Sequence, residues 1–185
     1  MDEIVLKNGD MELKTLSLGQ ATLLNQLINK NRDQIGEWLI WADKTKSVED
    51  AEKMIREFNG RREKGEGMNF GIWHQEKLIG YISFAYIDKE SRKGGLAYWL
   101  DSDYQGQGII TQSCKRLIEY GFNALNLNRI EISCAAGNIK SRAIAKRLGF
   151  TEEGILREAE LIRGGKLVDN CCYGLLKEDW GKLAL

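Results

Sequence analysis

A chain of 185 residues is long enough to bury one good hydrophobic core and short for two. Its 27 basic and 27 acidic side chains cancel, which leaves no excess of Lys and Arg to hold nucleic acid or an anionic membrane surface. With 43% hydrophobic and 29% charged residues, and no unbroken apolar run long enough to cross a bilayer, the composition is that of an ordinary globular domain.

The start, Met1-Asp2-Glu3-Ile4-Val5-Leu6-Lys7-Asn8, turns polar before an apolar stretch of signal type develops. Glu12 to Leu16 reads as a first strand, followed by short helices over Gln20–Lys30 and Gln34–Trp41. From Ser47 to Phe58 the residues Val48, Ala51, Met54, Ile55 and Phe58 recur at helical spacing, and Ser47 with Asp50 forms an N-terminal capping box. A charged, glycine-containing stretch over Gly60–Gly67 ends that half. Asn69–His74 and Lys77–Ile87 then form two strands of an antiparallel hairpin turning at Gln75-Glu76. His74 is the one histidine, too little for a zinc site, so no metal is expected.

A strand over Gly95–Leu100 runs through Asp101-Ser102-Asp103-Tyr104 into Gln105-Gly106-Gln107-Gly108 and then a helix. That helix carries Ile110, Cys114, Leu117, Ile118, Gly121, Phe122 and Leu125 on one face. Strand Arg129–Cys134 follows, and Ala135-Ala136-Gly137-Asn138 turns into a second helix with Ile139, Ala143, Ile144 and Leu148 inward and Gly149 just past its end. Strands Phe150–Ile162 and Lys166–Leu176 flank a turn at Arg163-Gly164-Gly165. The sum is an α+β domain over residues 1–185, with a mixed sheet of about seven strands flanked by helices. Cys114, Cys134 and the adjacent pair Cys171-Cys172 are expected as reduced thiols in a cytoplasmic protein, since neighbouring cysteines rarely bridge.

The segment Gln105-Gly106-Gln107-Gly108-Ile109-Ile110-Thr111 lies between a strand and the first turn of an amphipathic helix. Glycines let backbone amides approach an anion, and the helix start adds free N–H groups and the positive end of its dipole. A diphosphate fits such a place, and Thr111 adds a hydroxyl; the bland alternative is a turn that only connects strand to helix. The Walker pattern fails because Ile109 follows Gly108, and the dinucleotide fingerprint fails because Thr111 stands at its third glycine.

At this point the chain resembles the GNAT acetyltransferases, whose acetyl-coenzyme A signature is Q/R-x-x-G-x-G/A. Gln105 and Gly108 match it, while Ile110 stands where Gly or Ala is usual, a place where the ribosomal-protein N-terminal acetyltransferase branch tolerates bulk. Asn138-Ile139-Lys140-Ser141 and Lys146-Arg147-Leu148-Gly149-Phe150 look like that branch's N-x-x-S and K-x-x-G-F segments. Leu78-Ile79-Gly80, Tyr98-Trp99 and Trp38-Leu39-Ile40-Trp41 extend the likeness over nearly the whole chain.

The resemblance implies a GNAT fold and a cleft between the strands at Gly95–Leu100 and Arg129–Cys134 for the pantetheine of acetyl-CoA. Backbone N–H groups near Tyr98, Trp99 and Leu100 would hold the thioester carbonyl, and the loop from Gln105 to Thr111 the diphosphate. Glu160 occupies the place of the branch's general base, with Glu158 its rival by strand alternation, and Ser141 that of the acid protonating the leaving thiolate. Each has an ordinary reading too: an exposed strand carboxylate, or a polar first-turn residue. Asn138 caps the helix, contacts pantetheine, or both; Lys146 reaches phosphate or only solvates its helix. Trp38 and Trp41 form an aromatic wall for the acceptor or pack in the core.

The acceptor the branch points to is the N-terminal α-amine of a ribosomal protein. A small amine such as a polyamine or aminoglycoside is the alternative, for which Glu37, Asp43, Glu49 and Asp50 would supply acidity. A coenzyme A-binding sensor without catalysis is the non-enzyme alternative. A homo-oligomer is left open.

Overall fold

The computed structural model describes residues 4–182. Its strands are β1 (Val5–Asn8), β2 (Met11–Thr15), β3 (Met68–His74), β4 (Lys77–Asp88), β5 (Lys93–Leu100), β6 (Arg129–Ala135), β7 (Thr151–Ile162) and β8 (Lys166–Leu176). The helices are α1 (Ala21–Gly36), α2 (Val48–Lys64), α3 (Ile109–Asn123), α4 (Ile139–Arg147) and the short α5 (Lys177–Trp180). One sheet takes all eight strands in the order β1-β2-β3-β4-β5-β6-β8-β7. Only β5 and β6 run parallel.

Strand alternation divides the core in two. Cross-strand partners Tyr81 and Trp99 join Leu24, Ile28 and Ile55 under α1 and α2. Their neighbours Ile82 and Tyr98 join Ile118, Phe122 and Leu148 under α3 and α4. The β3–β4 hairpin turns where expected, with Gln75 at φ 47° and Glu76 at φ 64°, the positive values that suit the twist of a two-residue turn. The Ser47–Asp50 capping box is present at the head of α2.

Three expectations need correction. An eighth strand, β1, precedes the first one expected; its polar end, Lys7-Asn8, hid it, while residues 1–3 of that opening lie outside the described residues. The two helices read over Gln20–Lys30 and Gln34–Trp41 are one, α1, ending at Gly36. Asn31, in the gap between the two expected helices, is buried and bonds back to the Leu27 carbonyl at 3.0 Å. Ile40–Asp43 is a separate 3-10 turn. Helix α2 continues six residues beyond Phe58 through Gly60, stopping at Gly65 in the left-handed conformation that favours glycine.

Candidate active site

Strands β5 and β6 pair from Lys93/Arg129 to Leu96/Ile132 and then part. Beyond that point β5 stays with β4, and β6 stays with β8 through Ala135/Asn170. The Asp101 N–H donates to the Ile79 carbonyl at 2.8 Å, toward β4. Alternation therefore turns the main chain of Trp99 toward β4 and that of Tyr98 and Leu100 toward the gap. Of the three N–H groups expected at the thioester, two face the opening.

The chain leaving β5 is pinned by α1. Asp101, 3% exposed, accepts from Lys30 Nζ at 2.7 Å, and Asn31 Oδ1 accepts from the Ser102 N–H at 2.9 Å. Burial pushes the Asp101 carboxyl up, but hydrogen bonds from Lys30, Asp103 and Asn31 outweigh it and hold the group below its usual range. The loop that follows places both Gly106 and Gly108 at φ +77°, where a Cβ would be strained, with no atom within 4 Å of either Cβ position. Gly108 caps α3, and the first helical bond is that of the Gln112 N–H to the Gly108 carbonyl. The N–H groups of Ile109, Ile110 and Thr111 thus have no carbonyl within the helix, and the space before them is open. Such a cradle suits a diphosphate.

Helix α4 supplies what the sequence reading missed. Lys140 Nζ reaches Gln105 Oε1 at 2.8 Å, and Arg147 donates to Thr111 Oγ1 at 2.9 Å, so two cations border the loop. Their seven-residue spacing, which returns to one helix face, was the available signal. Lys146 turns the other way, 3.8 Å from Glu152 Oε2. Asn138 does cap α4, accepting from the Ser141 N–H at 3.1 Å. The Ser141 and Tyr98 hydroxyls stand 3.0 Å apart, and burial lifts the Tyr98 phenol well above its ordinary value, so it stays protonated.

Glu160 stands near the end of β7, opposite Val168 of β8. Its Oε2 accepts from Asn170 Nδ2 at 2.6 Å. The alternation that made Glu158 its rival is interrupted, because the pairing jumps from Leu156/Asn170 to Glu160/Val168 and Glu158 sits at φ 50°. Glu158 instead points its N–H at Asp169 Oδ1, 3.0 Å away. Burial raises the Cys134 thiol, a hydrogen bond with Ser141 lowers it, and the Cys171 and Glu160 side chains raise it further.

Residues 11–151 match the acetyltransferase (GNAT) domain. The chain belongs to the GNAT acetyltransferases. It is an acetyl-CoA-dependent N-acetyltransferase. It is 36% identical over 174 residues to the putative ribosomal N-acetyltransferase YdaF of Bacillus subtilis, covering 94% of each chain. Identity to the ribosomal-protein-serine acetyltransferase of Escherichia coli is 33% over 162 residues, 88% of this chain and 90% of the relative. Among solved structures, RimL, a ribosomal-protein α-N-acetyltransferase in complex with coenzyme A, superposes with a TM-score of 0.91 at 27% identity, covering 95% of this chain and 99% of that one.

In this GNAT chain the two expected tryptophans separate. Trp38 lies over the β6–α4 turn, where a Cβ on Gly137 would be 3.2 Å from its ring. Trp41 packs inward, 6.4 Å between ring centroids from Trp99. The acidic residues considered for a polycation are partly engaged elsewhere: Asp50 caps α2 and Asp43 is clasped by Arg163. Among the described residues, no group of three or more His, Cys, Asp or Glu gathers to hold a metal.

The Arg163 clasp ties the tip of the β7–β8 hairpin to α1. Its guanidinium donates to both carboxylate oxygens of Asp43, at 2.8 and 2.5 Å, to Asp33 Oδ1 at 3.2 Å and to the Arg32 carbonyl at 3.1 Å. It runs so close over Gly36 that a Cβ there would stand 2.0 Å from it. The Arg163 hydrogen bond holds the Asp43 carboxyl below its ordinary range. The clasp is therefore intact above the usual carboxylate pKa and loosens as pH falls through the depressed one. Arg163→Ala is expected to raise the acceptor KM by about tenfold with acetyl-CoA affinity unchanged, because it frees the hairpin that carries Glu160 from α1 and leaves the glycine loop alone. Steady-state kinetics with each substrate varied in turn checks this; an unchanged acceptor KM would show that the clasp only joins surfaces.

Proposed function

We propose that the enzyme acetylates the N-terminal α-amine of a protein, a ribosomal protein being the acceptor its relatives favour, with Glu160 as general base and Ser141 as general acid. The observation that carries this reading is that the two groups are tied to opposite sides of the gap where β5 and β6 part: the Ser141 hydroxyl meets Tyr98 of β5, and Glu160 is held by Asn170, the partner of Ala135 on β6. The open loop at Gly106 and Gly108, the free N–H groups of residues 109–111 and the cations Lys140 and Arg147 suit the coenzyme's diphosphate. Acetyl-CoA supplies the acetyl group as a thioester.

Positioning two reactants in one gap supplies most of the rate. The Tyr98 and Leu100 N–H groups lie where charge develops on the thioester carbonyl. Glu160 takes the proton that the amine nitrogen sheds as it bonds to the acetyl carbon. Ser141 gives its proton to the sulfur as the carbon–sulfur bond breaks. An α-amine, with a reference pKa of about 7.7–8.0, is partly neutral near pH 7, whereas a lysine side chain near 10.4 asks far more of a base.

Incubation with labelled acetyl-CoA and three acceptor sets tests the acceptor class. Peptides with free N-termini, including those of ribosomal proteins, should be labelled on the α-nitrogen. N-terminally blocked lysine peptides and polyamines should not. Preferential labelling of polyamines would overturn the proposal, and coenzyme binding without any labelling would favour a sensor.

A further inference from the structure

Asn170 is an awkward residue for its place. It sits inside β8, paired with Ala135 of β6 on one side and Leu156 of β7 on the other, and is only 7% exposed. Asparagine is disfavoured in strands. Its side-chain carbonyl is buried, and among the described residues nothing donates to it. A buried acceptor left without a partner is destabilising, so an apolar residue would suit this position better for folding alone. What the side chain does do is donate from Nδ2 to Glu160 Oε2 at 2.6 Å.

Glu160 needs that contact. Four steps along β7, from Leu156 to Glu160, span only two on β8, from Asn170 to Val168. Such a bulge removes the regular alternation that normally aims a strand side chain. β7 is also the sheet edge, so no further strand fixes it from outside. We infer that Asn170 is a positioning residue retained against stability to aim the Glu160 carboxylate, gripping one oxygen and leaving the other for the acceptor amine. This rests on the reading of Glu160 as general base. The opposite amide orientation would set a carbonyl against the carboxylate, so only the donating one serves.

The test is Asn170→Leu, with Asn170→Ala as a second variant that cannot overfill the strand. Both should melt at or above the wild-type temperature and bind acetyl-CoA within about twofold of it. The single-turnover rate should fall by about 10- to 100-fold, a loss of aim rather than of the base itself. Added to Glu160→Gln, neither change should slow the enzyme further, because the residue acts only through Glu160. A wild-type rate in both variants would overturn the inference, as would a lower melting temperature with weakened coenzyme binding, or a rate loss that adds to that of Glu160→Gln. If Glu160→Gln alone leaves the rate unchanged, the base assignment has failed and this inference falls with it, a result distinct from failure of the Asn170 variants alone.

Discussion

Replacing Gly108 with glutamate is expected to weaken acetyl-CoA binding by at least about a hundredfold while the chain still folds. The new side chain has room, since no atom lies within 4 Å of the Cβ position. A non-glycine residue at φ +77° costs about 1–2 kcal/mol. A carboxylate near the start of α3 returns about 0.3–1 kcal/mol through the helix dipole, so net stability changes little. The same attraction makes the variant carboxylate a tethered competitor for the N–H groups of residues 109–111, and it repels an incoming diphosphate. Gly108→Asn, which tolerates the left-handed conformation without a charge, should retain most affinity. Calorimetric titration beside thermal melting reads both effects. Tight binding by the glutamate variant would place the diphosphate elsewhere.

Glu160→Gln is expected to reduce the acetyl-transfer rate by about 10²–10⁴-fold, the usual contribution of a positioned general base, with acetyl-CoA affinity nearly unchanged. Glutamine keeps the size of the side chain and can still meet Asn170 through its own amide. The deficit should be largest at low pH and shrink as pH rises through the α-amine pKa of about 7.7–8.0, because the acceptor then arrives already neutral. Single-turnover rates across pH separate this from a packing defect, which would depress the rate by the same factor throughout. Equal rates for variant and wild type at every pH would remove Glu160 from the reaction.

Much of the site was readable because it is local. The glycine pair before α3, the Asn138 cap before Ser141 and the strand–loop–helix order all sit within short stretches whose chemistry is fixed by near neighbours. What escaped depends on partners far along the chain. The gap left between two helices around Asn31 is filled by one continuous helix whose Asn31 is tied to the Ser102 N–H, 71 residues away. Lys140 and Arg147 were given no role of their own, because only the fold brings Gln105 and Thr111 beneath them. Lys146, expected either at the phosphates or only solvating its helix, lies beside Glu152, since a helix turns about 100° per residue away from the face of Arg147. The rivalry of Glu158 assumed an unbroken strand, and a bulge leaves no reliable mark in composition.

The Arg163 clasp joins partners 120 residues apart, Arg163 and Asp43. During synthesis the N-terminal helices emerge long before the hairpin that is stitched to them. Until that arginine clears the ribosomal exit, the strand that carries Glu160 is not tied to α1. Competence is thereby deferred to the closing stage of translation, since a chain cut short within β7 also lacks β8, the strand that joins β7 to the rest of the sheet.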